Sequence, residues 1–163
     1  MLRLLALLSL CWLASPGYAA DYRELNWNNL LAPGERPHAQ PQAQPQANTT
    51  SQHNQVAVQP SAAVNPALDR HAISLSGYAV PLEGDGQTVT AFLLVPYFGA
   101  CIHVPPPPTN QVVLVNVPGG VAADALWDAI KVSGRLHVES SHSDLANAGY
   151  RLEADAVTAY QAP

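Results

Sequence analysis

Residues 73–82 read ISLSGYAVPL, and the phase of their apolar side chains decides the fold. Ile73 and Leu75 alternate with serines, Gly77 interrupts, and Tyr78, Val80 and Leu82 resume in the opposite phase. Alternation of this kind marks a half-buried strand. A change of phase at a glycine marks a strand that is bulged and bent. Glu83-Gly84-Asp85-Gly86 follows as a turn.

Downstream, Thr88 to Tyr97 reads as a second strand, apolar on both faces from Phe92 to Val95. Gln111 to Val117 is a third, and Pro118-Gly119-Gly120 turns the chain into a short helix over Ala122 to Trp127. Ile130, Val132, Leu136 and Val138 share one phase around Gly134 and give a long fourth strand. Asn147-Ala148-Gly149 turns into a fifth, Tyr150 to Val157. Five strands, a bend in the first and one short helix after the third predict an all-β, OB-like barrel over residues 68–160. A β-sandwich is the alternative. About ninety residues suffice for one such core.

Upstream, composition divides the chain into three further parts. Residues 21–31 (DYRELNWNNLL) form a short segment that must dock its apolar residues, since a helix of this length is marginal in water. Residues 32–67 carry recurring Pro and Gln with no hydrophobic period, and predict a disordered linker in which His38 and His53 are incidental. Residues 1–20 place Arg3 before a short apolar run, then Ser15-Pro16-Gly17 and the small residues Ala19 and Ala20. That order is a signal peptide cleaved near Ala19-Ala20, and it predicts a periplasmic or secreted protein. The apolar run is too short to span a bilayer, which needs about 20 residues.

Loss of Arg3 with the signal leaves six basic against twelve acidic residues, a formal charge of −6. Such a chain lacks the positive field that nucleic acid requires, and no second long apolar stretch predicts a transmembrane segment in the mature chain. Of the two cysteines, Cys11 lies in the signal and Cys101 remains as a single thiol in an oxidising compartment.

That thiol sits in a distinctive loop, LVPYFGACIHVPPPPTNQ, residues 94–111. Cys101 and His103 are two apart, so an extended backbone projects both side chains to one side. Thiolate and imidazole together are good ligands for zinc or copper. Pro105, Pro106, Pro107 and Pro108 stiffen the segment. His137, His142, Asp144 and Glu139 are the candidates to complete a metal site. A protein-docking surface of Tyr97, Phe98, Ile102 and the four prolines, with Cys101 merely packed, is the second reading. An enzyme with Cys101 as nucleophile is the third; it lacks an evident group to orient the imidazole. There is no GxSxG elbow, no HExxH helix and no CxxC pair.

The stretches GYAVPLE (77–83) and FLLVPYFGACIHVPPPPTNQ (92–111) resemble the signature of an exported bacterial family, domain of unknown function 3299. The likeness runs over about Ile73 to Tyr160, and ELNWNNLL (24–31) is similar to the family's W-x-x-L lead-in. The resemblance implies secreted or lipid-anchored proteins neighbouring ABC-type transport or zinc-regulated systems. It raises the expectation of a non-enzymatic accessory module linked to zinc homeostasis or transport, with a membrane transporter or another periplasmic protein as partner.

Overall fold

A computed structural model describes residues 21–37, 59–102 and 106–161. Residues 1–20, 38–58, 103–105 and 162–163 lie outside the described residues, and with them the expected signal peptide and most of the expected linker. Eight strands run in chain order: β1 (Arg23–Leu25), β2 (Ala72–Gly84), β3 (Thr88–Val95), β4 (Val113–Ala122), β5 (Ile130–His137), β6 (Ser141–His142), β7 (Asn147–Ala148) and β8 (Tyr150–Ala159). Five of them close a barrel in the order β2-β3-β4-β8-β5, with β5 returning to β2. β4 and β8 pair in parallel, while the other pairs around the ring are antiparallel. This is the closed Greek-key order of an OB-like barrel. The short β6–β7 hairpin stands between β5 and β8.

Closure is possible because β2 changes partner midway. Residues Ala72–Gly77 pair with β5, and Tyr78–Gly84 pair with β3. The bulge expected at Gly77 is therefore not there. The irregularities of the β2–β3 ladder fall between Pro81 and Gly84. Ile73, Leu75 and Ala79 all face the inner cluster, whereas Tyr78, Val80 and Leu82 join an outer one. The apparent phase change is an added apolar outer face, with the inward phase unbroken. Gly77 has a different role: a Cβ there would lie 2.6 Å from the Val95 carbonyl oxygen and 2.9 Å from the Trp27 ring. Only glycine allows that approach.

Two other elements differ in detail. Pro118-Gly119-Gly120 does not end its strand: Asn116 pairs with Ala91 and Val121 with Val89, so residues 117–120 bulge opposite Thr90. The expected helix at Ala122–Trp127 is a single 3-10 turn, Ala123–Leu126, without a side-chain cap. Four residues cannot nucleate more.

The barrel interior holds Ile73, Leu75, Phe92, Leu94, Val113, Val115, Val132, Leu136, Tyr150 and Leu152, all buried. Each such aliphatic or aromatic side chain contributes about 1.5–3 kcal/mol by leaving water. The leading segment completes this core. β1 adds to β2 in parallel, Leu25 and Leu30 pack into the cluster, and the Trp27 Nε1–H donates to the Ser76 carbonyl at 2.8 Å. The Tyr150 hydroxyl donates to the Leu30 carbonyl and accepts from the Asn65 amide, both at 2.5 Å.

Ordered chain continues past the boundaries read from composition. Leu31 bridges Val64, and the Glu35 carboxylate accepts from the Asn110 side-chain amide at 2.7 Å and from the Ala63 N–H at 3.3 Å. The Thr109 N–H donates to the Pro60 carbonyl, and Thr109 Oγ1 accepts from the Ala62 N–H. Residues 59–67 are thus laid on the barrel, held by backbone and side-chain hydrogen bonds rather than by apolar period.

Candidate functional site

The loop after β3 is built from two overlapping tight turns. The Ala100 N–H donates to the Tyr97 carbonyl at 3.5 Å, and the Ile102 N–H to the Gly99 carbonyl at 3.3 Å. Gly99 (φ 79°) and Cys101 (φ 68°) both adopt left-handed backbone. For glycine this is free; for cysteine it costs of order 1–2 kcal/mol. What holds the strained residue is Ala100, which is fully buried in the outer cluster with Val95 and Val112. With Ala100 pinned inward, Phe98 and Ile102 are driven out, 73% and 60% exposed. The Phe98 ring stands edge-on against Tyr78, centroids 5.9 Å apart.

Cys101 is half-buried against this outer cluster. Burial pushes its thiol up to about 11. Burial also raises the Tyr97 phenol, and the nearby Cys101 adds to that rise. At neutral pH the sulfur is therefore a protonated thiol, a poor nucleophile and a metal ligand that must first lose its proton.

The other candidate residues are dispersed. His103 and Pro105 lie outside the described residues. His137 is on β5 opposite Arg151, whose guanidinium is held by Glu139 at 2.8 and 3.0 Å. His142 is on β6, with Nδ1 2.7 Å from the Asn147 side-chain oxygen, and Asp144 is exposed in the turn of the same hairpin. Among the described residues no three His, Cys, Asp or Glu come together to hold a metal ion. Of the prolines, Pro106 and Pro108 are half-buried and Pro107 is buried, its carbonyl accepting from Gln59 Nε2 at 2.9 Å.

Gln59 does more than cover Pro107. Its Nε2 also donates to the Asn147 carbonyl at 2.7 Å, and its Oε1 accepts from the Asn147 N–H at 2.6 Å. One side chain thereby clips the β6–β7 hairpin to the proline loop. Within the hairpin, the Ser143 hydroxyl donates to the Ala146 carbonyl at 2.7 Å. Ala146 and Ala148 then pack on the outer cluster beside Val80 and Leu93.

Where the β6–β7 hairpin stands against the outer wall of the barrel, a cleft of about 520 Å³ opens. Its floor is Leu82, Ala91, Leu93 and Leu114, one or two residues from each of three adjacent strands. Its wall is residues 141–146, and Glu83 and Asn116 stand at its edge. Sequence reasoning did not find this cleft. The signal was present in Phe92–Val95, apolar on both faces, since a second apolar face on a barrel strand must be covered or be a surface for use.

An OB-like barrel with a sealed interior and a loop-walled outer face defines the class. The chain belongs to the family described as protein of unknown function (DUF3299), whose model matches residues 27–159. It is similar to the crystal structure of a DUF3299 family protein from Pseudomonas aeruginosa PAO1, with a TM-score of 0.74 and 42% identity over 87% of this chain and 98% of that one. No curated protein matches it. The family read from residues 77–111 is thus the family found. No helix among the described residues is long and apolar enough to cross a membrane.

Proposed function

We propose that the mature chain is a non-enzymatic binding module of the periplasm that docks a partner protein through the Tyr97–Ile102 turn. The observation that carries this is the exposure of Phe98 and Ile102 on a backbone pinned by buried Ala100. Large apolar side chains held out on a rigid turn bind with little ordering cost. Aromatic anchors of this kind dominate interface energetics. The partner we infer is a component of a transport system, on the strength of the signal-like residues 1–20 and the family resemblance.

Zinc held by Cys101 and His103 is a narrower form of this reading. It needs the buried thiol ionised, and the raised proton affinity of Cys101 weighs on it. Elemental analysis of purified protein beside Cys101→Ser decides it: unchanged zinc content, or none in either, removes the metal.

The test of docking is cross-linking in cells that export the protein, comparing wild type with a Phe98→Ala/Ile102→Ala double variant. Loss of the cross-linked partner at unchanged thermal stability is expected. Retention of the partner would sink the assignment of the surface.

A further inference from the structure

The cleft beside the β6–β7 hairpin is separate from the exposed turn, and its chemistry selects a ligand. Leu82 of β2 and Leu114 of β4 are the part-exposed apolar residues of the floor, with Leu93 and Ala91 of β3, the strand between them, buried. Leu93 and Leu114 are directly paired across the β3–β4 ladder. Strands lie about 4.8 Å apart, so a floor crossing three of them is roughly 10 Å wide. That is broader than one methylene chain and suits two neighbouring side chains. Leu145, part-exposed on the hairpin, extends the apolar surface up the wall.

The charge of the cleft is one-sided. Glu83 and Asp144 line it beside His142, and among the described residues no Lys or Arg does. A phosphate or carboxylate ligand would meet repulsion there, and a cation attraction. Among the described residues no Phe, Tyr or Trp lines it either. Sugars and bases that bind other OB barrels on this part of the wall would find no ring to stack on. The volume lies within the range of roughly 300–1,000 Å³ common for ligand sites.

We propose that this cleft is a peptide-binding site for an extended, lysine-bearing apolar segment, its aliphatic side chain on Leu82, Leu114 and Leu145 and its ammonium beside Glu83 and Asp144. The apolar floor supplies the burial and the two carboxylates set the sign of the partner. An extended strand presents alternate side chains to one face, so an apolar residue and a basic one two positions apart reach floor and rim together.

Isothermal titration of the purified chain tests this with five probes: an acetylated Lys-Leu-Lys-Leu-Lys peptide, its Glu-Leu-Glu-Leu-Glu and Lys-Gly-Lys-Gly-Lys counterparts, spermidine and a chitin tetrasaccharide. Saturable binding of the first alone is expected. A Glu83→Gln/Asp144→Asn variant should weaken it about tenfold, as should raised salt, because the contact is electrostatic and solvent-facing. Leu145→Asp, at an exposed position that leaves the core untouched, should alter binding without unfolding the chain. The Phe98→Ala/Ile102→Ala variant should bind the peptide as wild type does, which keeps this site distinct from the docking turn. Equal binding of the acidic or glycine peptide would overturn the proposal. So would binding of spermidine or the sugar alone, no saturation by any probe up to about 1 mM, or indifference to Glu83→Gln/Asp144→Asn.

Discussion

Phe92 and Leu94 point into the barrel, Leu93 and Val95 point out of it, and all four are buried to the same degree. What covers them differs. The inner pair is enclosed by a hydrogen-bonded ring of strands and closed off by Leu25, Leu30 and Trp27. The outer pair is covered by loops, and those loops are held through single side chains such as Gln59 and Ser143. A strand ring cannot open locally without breaking its ladder, whereas a loop held by a few side-chain hydrogen bonds can. Equal burial therefore has two meanings along one strand, sealed by a closed ladder inside and covered by separable loops outside.

Three measurements break or sharpen that contrast. Phe92→Ala should cost about 3–5 kcal/mol in urea denaturation, since the ring cannot collapse onto the void. Leu93→Ala should fall at the lower end of the range for leucine, about 2–3 kcal/mol, because the hairpin can settle inward. Equal losses would erase the distinction. Gln59→Ala should cost about 1–2 kcal/mol by leaving Asn147 and Pro107 without their partner. Hydrogen exchange in this variant should accelerate at 141–148 and leave β2–β5 pairing protected. Acceleration throughout would show that the outer cover is not an independent unit.

The smallest effect concerns Cys101. Its folded proton affinity is raised from 9.0 to about 11 by burial, so the stabilising contribution is complete below pH 9 and fades as pH rises toward 11. Alkylation by iodoacetamide should accordingly be slow at pH 8 and climb only near pH 11, while denatured protein reacts readily at pH 9. Fast reaction at pH 8 in the native state would mean the sulfur is not shielded by the outer cluster.

The strands after β4 were legible because they bury one clear face: Ile130, Val132 and Leu136 alternate without ambiguity, as do Tyr150 and Leu152. The outer cluster was not, since Ala100, Ala146 and Ala148 are small residues whose burial carries no periodic signal. Gln59, Glu35 and Asn65 were read as linker because their contribution is hydrogen bonding to distant backbone, and polar composition does not reveal such partners. Trp27 at Gly77 shows the same limit: the glycine signalled a special position, but the approaching ring comes from fifty residues earlier in the chain. Of the site, the motif 97–102 was visible as unusual chemistry, while the strain at Cys101 and the outward throw of Phe98 required backbone geometry.

The bridge between Leu31 and Val64, with Glu35 reaching across to Ala63, has a topological consequence. Residues 31–35 and 63–64 therefore lie side by side on the barrel, and the chain between them closes a loop. Doubling the length of such a closed detour adds only about 0.6 kcal/mol of chain entropy. The length of that loop is thus nearly free to drift, while β1 keeps its place through its own pairing with β2.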